Sequence, residues 1–382
     1  ALTIENYGVI SGGGTIDALT IENHGVISGG GTIDAQLMNS ASGEVRLLAD
    51  NWLRMEGRGN LNAGEINNFG GMIEFTQDMT NQNGGFIGGR GQFIADGGWT
   101  NSGLMFFTGT TDLLGDVVNG AGGQIVTSGF TTTTFYDDVI HNGTEIRTSA
   151  GSTTVLGGST TGSGAYTGTG TVFLEGDLRP GNSPGTVSFG GDVVLGTAST
   201  TQIELGGTVA GEYDQLDITG SISLASTLDT LLIDGFSPGL GDMFTIISAD
   251  GGVTGTFDTT NIPVLGGGLS LDLVYRPTFV ALEVISNLLL GDANNDNQVT
   301  GADLVIVQQN FGNVDPNMPT DGLFIGDAND DGKVTGADLI IVQQNFGNTL
   351  APVGAEVPEP TSACLLTLAG LGAMARRRRV AA

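Results

Sequence analysis

The chain has 382 residues, enough for two or three domains, and it carries 41 Asp and Glu against 12 Lys and Arg, a formal net charge of −29. Such a surface repels phosphate backbones, which excludes nucleic-acid binding. The 66 glycines, beside only two histidines, are typical of turn-rich β structure rather than of a helical enzyme, and the single cysteine, Cys364, allows no internal disulfide.

The chain begins with two nearly identical copies of one short unit. ALTIENYGVISGGGTID begins at Ala1 and ALTIENHGVISGGGTID begins at Ala18, so the copies differ only at Tyr7 and His24. This exchange of one ring for another predicts stacking of the two side chains on a solenoid face rather than catalysis. Since the sequence opens in mid-repeat and without Met, we expect a fragment whose upstream export signal is missing.

Looser copies of the unit follow the exact ones. Asn-Gly clusters recur at a spacing close to the length of that unit, near Asn68, Asn83, Asn101, Asn119 and Asn142. Short alternating apolar runs separate them, and glycine allows the positive φ that a corner needs. One coil cannot bury its apolar face, but stacked coils can. We therefore predict a mainly β protein that opens with a Gly-rich parallel β-solenoid over residues 1–175.

The next region, residues 176–286, keeps the β character but loses the period. Its apolar runs, separated by Gly, Pro and Asp turns, predict six to eight strands. The segments PGNSPGT, YDQL and GTF, within residues 178–284, resemble the C-terminal passenger region of autotransporter-like adhesins. That resemblance implies an extended, secreted surface protein, and it implies no active site.

A second duplication lies near the C-terminus. GDANNDNQVTGADLVIVQQNFG begins at Gly291 and GDANDDGKVTGADLIIVQQNFG begins at Gly326. Counted from the first Asp, oxygen ligands fall at positions one, three, five, seven (through its carbonyl) and twelve, the spacing with which a loop wraps calcium. The predicted ligands of two calcium ions are Asp292, Asn294, Asp296, Gln298 and Asp303 in the first loop, and Asp327, Asn329, Asp331, Lys333 and Asp338 in the second. The alternative is that Asp and Asn only cap turns before two helices, but a turn needs one or two such residues.

Both loops depart from an ordinary EF-hand. Position twelve is Asp instead of Glu, and the preceding ISNLLL is too short for an entering helix. With these departures, residues 290–348 resemble a type I dockerin, which implies a small helical module that folds around calcium and docks into a cohesin receptor. In that family positions ten and eleven help to choose the partner; here both copies have Gly-Ala, at 301–302 and 336–337. A purely structural calcium clip is the alternative.

Each loop leads into a short helix with more apolar residues than one interface needs. For a helix that starts at Asp303, the helical period predicts that Leu304, Val307 and Phe311 pack against the other half of the module. The residues predicted to face away and to bind the partner are Val305, Ile306 and Gln309, and in the second copy Ile340, Ile341 and Gln344. The module should then carry two near-equivalent apolar patches, with burial against the β region as the alternative.

The C-terminal tail, residues 358–382, follows a linker at 349–357. VPEPTSACLLTLAGLGAMARRRR places about fifteen mostly apolar residues before four arginines, so its predicted hydrophobic helix is about 22 Å long, shorter than a bilayer core. The segment resembles the PEP-CTERM sorting signal, which implies transient membrane insertion and processing by an exosortase; a simple anchor is the alternative. The sorting residues are Pro358, Glu359, Pro360, Arg376, Arg377, Arg378 and Arg379.

Signals for catalysis are weak. The candidates are His24 and His141, the carboxylate pair Asp214 and Asp217 for glycoside hydrolysis, and the pair Arg54 and Arg58 for a polysaccharide lyase. Ordinary structural roles in strands and turns account for all of these residues without a catalytic role. The sequence favours an exported, non-catalytic surface or matrix protein that assembles through a cohesin-like receptor, with a surface polysaccharide as a further candidate partner. A component of a polysaccharide-degrading system is the alternative.

Overall fold

The computed structural model describes residues 2–181, 183–265, 269–286, 289–294, 296–314, 324–329 and 331–349. The chain divides into two compact units, residues 1–286 and 287–382. The first unit consists of β-strands and the second contains two short helices, so the predicted mainly β class with a small helical module is confirmed. The predicted tail helix, and all of the predicted linker except Thr349, lie outside the described residues.

The described part of the first unit contains 34 strands. Residues up to 114 form β1 (Thr3–Asn6), β2 (Val9–Ser11), β3 (Thr15–Asn23), β4 (Val26–Ser28), β5 (Gly31–Asn39), β6 (Glu44–Leu47), β7 (Trp52–Met55), β8 (Asn60–Asn62), β9 (Glu65–Phe75), β10 (Met79–Asn81), β11 (Phe86–Ala95), β12 (Trp99–Asn101) and β13 (Leu104–Leu114). The next ten strands are β14 (Val117–Asn119), β15 (Gln124–Thr127), β16 (Thr132–Phe135), β17 (Val139–His141), β18 (Glu145–Thr148), β19 (Thr153–Leu156), β20 (Thr160–Gly162), β21 (Tyr166–Thr167), β22 (Thr171–Leu174) and β23 (Leu178–Pro180). The last eleven are β24 (Thr186–Phe189), β25 (Asp192–Leu195), β26 (Thr200–Leu205), β27 (Gln215–Ile218), β28 (Ser221–Leu224), β29 (Thr227–Leu232), β30 (Met243–Ala249), β31 (Gly252–Gly255), β32 (Thr259–Asn261), β33 (Leu269–Arg276) and β34 (Phe279–Ser286).

The strands form three parallel stacks, so each coil of the chain contributes one strand segment to each of three faces. Face 1 contains β6, β15 and β18; face 2 contains β8, β14 and β17; face 3 contains β7, β16 and β19. Long strands such as β9 and β11 bend at a register shift and belong to two faces. The predicted parallel solenoid is confirmed.

The coils at the end of the stack are the longest, while the pairing stays parallel. A coil near the N-terminus runs from Thr3 to its partner Thr20, whereas a later and much longer one runs from Leu216 to its partner Ile247. The stack runs through residue 176, where the sequence suggested a change of region, because β22 pairs with β19 on one side and β25 on the other. Between residues 178 and 286 the described chain forms twelve strands, so the expectation of six to eight was too low.

A short antiparallel element closes this stack on face 1. β34 pairs antiparallel with β30, and β33 pairs antiparallel with β34. Val280 and Leu282 of β34 are fully buried. The hairpin therefore covers the edge of β30 that a further parallel coil would otherwise occupy.

The interior of the solenoid is filled by the inward side chains of successive coils. Its largest buried members are Trp99, Phe75, Phe93, Phe107, Phe135, Phe189 and Phe244. Glycine is required where a corner crosses the previous coil closely. At Gly89 (φ 112°) an added Cβ would lie 1.9 Å from the Asn68 carbonyl oxygen, and at Gly115 (φ 98°) it would lie 2.0 Å from that of Ala95.

A column of asparagine side chains runs through the interior along face 2. Each donates its Nδ2 hydrogen to the side chain one coil further on, at N···O distances of 2.7–2.8 Å, through Asn6, Asn23, Asn39, Asn62, Asn81, Asn101 and Asn119. Asn119 then donates to Nδ1 of His141 at 3.1 Å. We call this column the asparagine ladder. Each amide is satisfied by its neighbours, so the polar column lies in an apolar core without unpaired groups.

The second unit is built around helices α1 (Gly301–Gln309) and α2 (Gly336–Gln344). Its buried core contains six small apolar residues, Ala293, Val299, Val307, Ala328, Val334 and Val342. Thr300 and Thr335 cap the helices, each accepting a hydrogen bond from the backbone N–H two residues later.

Candidate calcium site

The first acidic loop is folded by hydrogen bonds from its own backbone to its own side chains. Asp292 accepts from the N–H groups of Asp296 (3.1 Å) and Asn297 (2.7 Å). Asn294 Oδ1 accepts from the N–H of Asp296 at 3.0 Å, and Asp296 Oδ1 accepts from that of Gln298 at 3.0 Å. The side chains predicted at positions one, three and five therefore all turn towards the inside of one loop.

The second loop repeats this pattern. Asp327 accepts from the N–H groups of Asp331 (3.2 Å) and Gly332 (2.6 Å). Asn329 Oδ1 accepts from the N–H of Asp331 at 3.1 Å, and Asp331 Oδ1 accepts from that of Lys333 at 3.0 Å. The Gln298 and Lys333 side chains are exposed, which is consistent with the prediction that position seven would bind through its backbone carbonyl.

Position twelve connects each loop to its helix. Asp303 is fully buried; its Oδ1 accepts from the N–H groups of Ala293 (2.9 Å) and Asn294 (3.1 Å), and its Oδ2 accepts from that of Thr300 (2.7 Å). Asp338 makes the equivalent bonds in the second loop. Both carboxylates complete capping boxes, so the same residue closes the loop and starts the helix. The prediction named these aspartates but missed Thr300 and Thr335, whose T-x-x-D spacing is the signal that identifies them.

The two loops differ at position six. Both residues there have a left-handed backbone, with φ 64° at Asn297 and φ 80° at Gly332. Glycine adopts this conformation freely, whereas in asparagine it costs about 0.5–1 kcal/mol. The second loop is therefore the less strained of the two.

Each loop is also held by the segment that follows the other loop's helix. Val299, at position eight, exchanges backbone hydrogen bonds with Gly347 and Asn348, and Val334 bonds in the same way to Gly312 and Asn313, all at 2.8–2.9 Å. The N–H groups that precede the two loops, at 291 and 326, also donate across to carbonyl groups of the opposite loop. These reciprocal bonds give the module an approximate twofold symmetry and couple the two loops.

The electrostatics of the second loop suit a cation. Burial raises the pKa of Asp327; the N–H groups of Gly332 and Asp331 oppose that shift, and the charges of Asp338 and Asp331 reinforce it. A divalent ion would relieve this repulsion. Among the described residues no three His, Cys, Asp or Glu side chains form a metal cluster by themselves, so a site here depends on amide and carbonyl oxygens as well. Those are the oxygen ligands that calcium prefers.

The helix faces agree only in part with the prediction. Val305 and Ile340 are 48% and 54% exposed, and Gln309 and Gln344 also face solvent. Ile306 and Ile341, however, pack against the module core, and Phe311, predicted to pack inside, is 57% exposed. The helix ends at Gln309 with its cap at Asn310, so Phe311 leaves the helical face assumed for it. The Gly-Ala pairs at positions ten and eleven are exposed at the helix starts.

The histidine and aspartate candidates in the solenoid have packing or hydrogen-bonding partners. Tyr7 and His24 stack with ring centroids 4.8 Å apart, as predicted. His141 is buried at the end of the asparagine ladder, where burial lowers its pKa and its Nε2 lies 3.0 Å from the Ala165 carbonyl oxygen. Asp214 is buried and accepts from two backbone N–H groups, while Asp217 lies on the surface and accepts from Ser248. The two carboxylates do not face a common site.

Comparison with known families agrees with this geometry. The family described as Dockerin type I domain matches residues 290–350, and the PEP-CTERM protein-sorting motif matches residues 356–379. No curated protein matches the chain. The chain therefore carries a type I dockerin domain and a PEP-CTERM motif behind a β-solenoid. Type I dockerins bind calcium, and the two features together indicate an exported protein with a module for assembly.

The predicted sorting residues Pro358, Glu359 and Pro360, and the arginines at 376–379, lie outside the described residues. Within the part of the chain that is described, no helix has the length and apolarity to cross a membrane.

Proposed function

We propose that this chain is an exported, non-catalytic surface or matrix protein whose solenoid acts as a spacer or adhesin and whose dockerin domain, holding two calcium ions, docks it into a cohesin-like receptor. The observation that carries the proposal is the twofold arrangement of the module. Val305 and Ile340 occupy equivalent helix positions and are both exposed, and each helix follows a loop in which Asp292 or Asp327 accepts backbone N–H groups. Exposed apolar residues on a small acidic module favour a protein interface.

Because the two patches are near-equivalent, either one can engage the same receptor. We expect Val305→Asp or Ile340→Asp alone to leave binding of the full chain to recombinant type I cohesin domains within about threefold of the parent. The double variant should lose binding, while circular dichroism in calcium stays unchanged. Gln308→Ala, which is exposed on the same helix but lies outside the predicted partner-binding residues, is the matched control. Full binding by the double variant would remove these residues from the interface.

The sorting motif implies processing by an exosortase. We propose that the mature protein lacks the arginines at 376–379, because cleavage near Pro360 removes the residues that would hold the end of the chain on the cytoplasmic side. Mass spectrometry of the envelope-associated protein measures its C-terminal peptide. An intact C-terminus at Ala382 would indicate a simple anchor instead.

Contact between the solenoid and a surface polysaccharide is a second part of the proposed function. It is favoured by two exposed aromatic side chains on one face of the solenoid, Trp52 and Tyr136.

A further inference from the structure

Face 3 of the solenoid presents two large aromatic side chains to solvent. Trp52, in β7, is 48% exposed, and Tyr136, directly after β16, is 53% exposed. Both belong to the strand stack whose inward residues are Leu53 and Phe135. Exposed tryptophan and tyrosine with a defined orientation are the residue types most often found at binding hot spots.

Both rings are fixed in place by a carboxylate from a neighbouring coil. Trp52 Nε1 donates to Glu74 Oε2 at 2.9 Å, and the Tyr136 hydroxyl donates to Asp112 Oδ1 at 3.2 Å. Arg54 lies beside Glu74, with Nη1 3.8 Å from Oε1. Since the rings are already oriented, a ligand that stacks on them loses little affinity to the ordering of side chains.

The separation of the two rings follows from the strand register. The inward residues pair in succession, so four ladder steps separate the coil of Trp52 from that of Tyr136, through Leu53, Ile73, Phe93, Leu113 and Phe135. At about 4.8 Å per step the two coils are about 19 Å apart along the solenoid axis. A ligand that touches both rings must be a chain rather than a single small molecule.

Apart from Arg54, Glu74 and Asp112, the surface between the rings is uncharged. The other outward residues there, all exposed or partly exposed, are Met72, Gln92, Ile94 and Leu114. On the other side of Trp52, the preceding coil has Gly30, where an added Cβ would lie 2.9 Å from the Trp52 carbonyl oxygen. The surface beside Trp52 is therefore flat, and one carboxylate lies at each of the two rings.

We propose that this face binds a neutral polysaccharide chain lying along the solenoid axis, with sugar rings stacked on Trp52 and Tyr136. The C–H face of a sugar ring packs on an aromatic face, and sugar hydroxyls can donate to the carboxylates of Glu74 and Asp112 and accept from Arg54. A net charge of −29 disfavours anionic polymers. The inference deepens the proposed function, since it assumes that the solenoid is exposed outside the cell, but it does not depend on the dockerin domain.

The test is affinity electrophoresis of the full chain in gels that contain hydroxyethyl cellulose, xylan or laminarin, with polygalacturonate as the anionic comparison. We expect retardation by at least one neutral polymer and none by polygalacturonate. Trp52→Ala should weaken binding about tenfold, Tyr136→Ala about fivefold, and Tyr136→Phe, which keeps the ring but loses the Asp112 bond, about twofold. Tyr7→Ala removes an exposed ring that packs on His24, away from this face, and should bind as the parent does.

Several results would overturn the proposal: no retardation in any neutral polymer, retardation that survives the double Trp52→Ala and Tyr136→Ala change, or preference for polygalacturonate. Concentration-dependent self-association that Trp52→Ala abolishes would identify the face as a contact between copies of this chain. Thermal unfolding shows that the variants remain folded. Cohesin binding by the same proteins is measured in parallel, so a failure on glycans leaves the docking proposal intact and a failure of docking leaves this one intact.

Discussion

The solenoid and the dockerin domain bury polar side chains in different ways, and the difference shows what each needs in order to fold. In the asparagine ladder of the solenoid the buried polar groups are neutral amides, stacked so that each one satisfies the next. In the domain they are carboxylates, and the charge of Asp338 adds to the burial that raises the pKa of Asp327. A column of amides needs no ligand, whereas a ring of carboxylates needs a cation.

Removal of calcium should therefore separate the two regions, and it is the largest effect we expect. With only six small residues in the described part of its buried core, the dockerin domain should lose its protection from hydrogen exchange in EGTA throughout residues 290–349. The solenoid should keep its protection. Hydrogen exchange of the full chain, read by mass spectrometry with and without calcium, measures both regions at once. Unchanged protection of the domain in EGTA would show that the loops fold without an ion.

Breaking the asparagine ladder tests the other half of the comparison. Asn81→Ala removes the acceptor of Asn62 and the donor to Asn101 inside the core, and should lower the free energy of unfolding of the solenoid by about 2–3 kcal/mol. Asn6→Ala, in the first described coil, removes one ladder bond, to Asn23, instead of two and is the matched control. Urea unfolding followed by circular dichroism compares the two. Equal losses in the free energy of unfolding would mean that a residue inside the ladder contributes no more to stability than Asn6 does.

The end of the ladder should make the solenoid sensitive to acid. Burial lowers the folded-state pKa of His141 below its unfolded value of about 6.5, so stability is complete above pH 6.5 and falls as the pH drops through the folded pKa. Asp214 acts in the opposite direction, because burial raises its pKa to about 6 and its protonation stabilises the folded state as the pH falls.

The change His141→Asn isolates the histidine, since Asp214 contributes equally to both proteins. The urea midpoint of the parent should fall more between pH 7 and pH 5 than that of the variant. Parallel pH profiles for the two proteins would assign the acid sensitivity elsewhere.

The smallest expected effect lies within the dockerin domain and compares its two loops. Because Asn297 carries a left-handed backbone that Gly332 adopts freely, Asn297→Gly should tighten calcium binding at the first loop by about 0.5–1 kcal/mol, roughly two- to fivefold. Calorimetry is carried out on Asp327→Ala proteins, in which the second loop is disabled. Gly332→Asn in the Asp292→Ala background should weaken the second loop by a similar factor. No change in either would show that position six does not control affinity.

The features that the sequence predicted are those set by short spacing. The acidic loops depend on residues within twelve positions, and the Tyr7–His24 stack depends on one repeat length, so both could be read directly. The asparagine ladder could not be read from the sequence, because it depends on the register, that is, on which residue of each coil lies beside which residue of the next. The pattern pointed to Asn83, but the register places Asn81 inside.

Two further differences have physical causes beyond the repeat. The solenoid continues past residue 176. The sequence did not show this, because longer corners between the short paired strands hide the period. Ile306 packs against the module core because the valines and alanines there are small, so a wider stripe of α1 is covered than the helical period alone indicated.

The unequal lengths of the coils also affect how easily each one closes. Closing the long coil from Leu216 to Ile247 costs about 0.5 kcal/mol more chain entropy than closing the short one from Thr3 to Thr20, before any contact compensates for it. The shorter coils, among them the one from Thr153 to Thr171, are therefore easier to close than the last ones, and each finished coil offers an edge on which the next can pair.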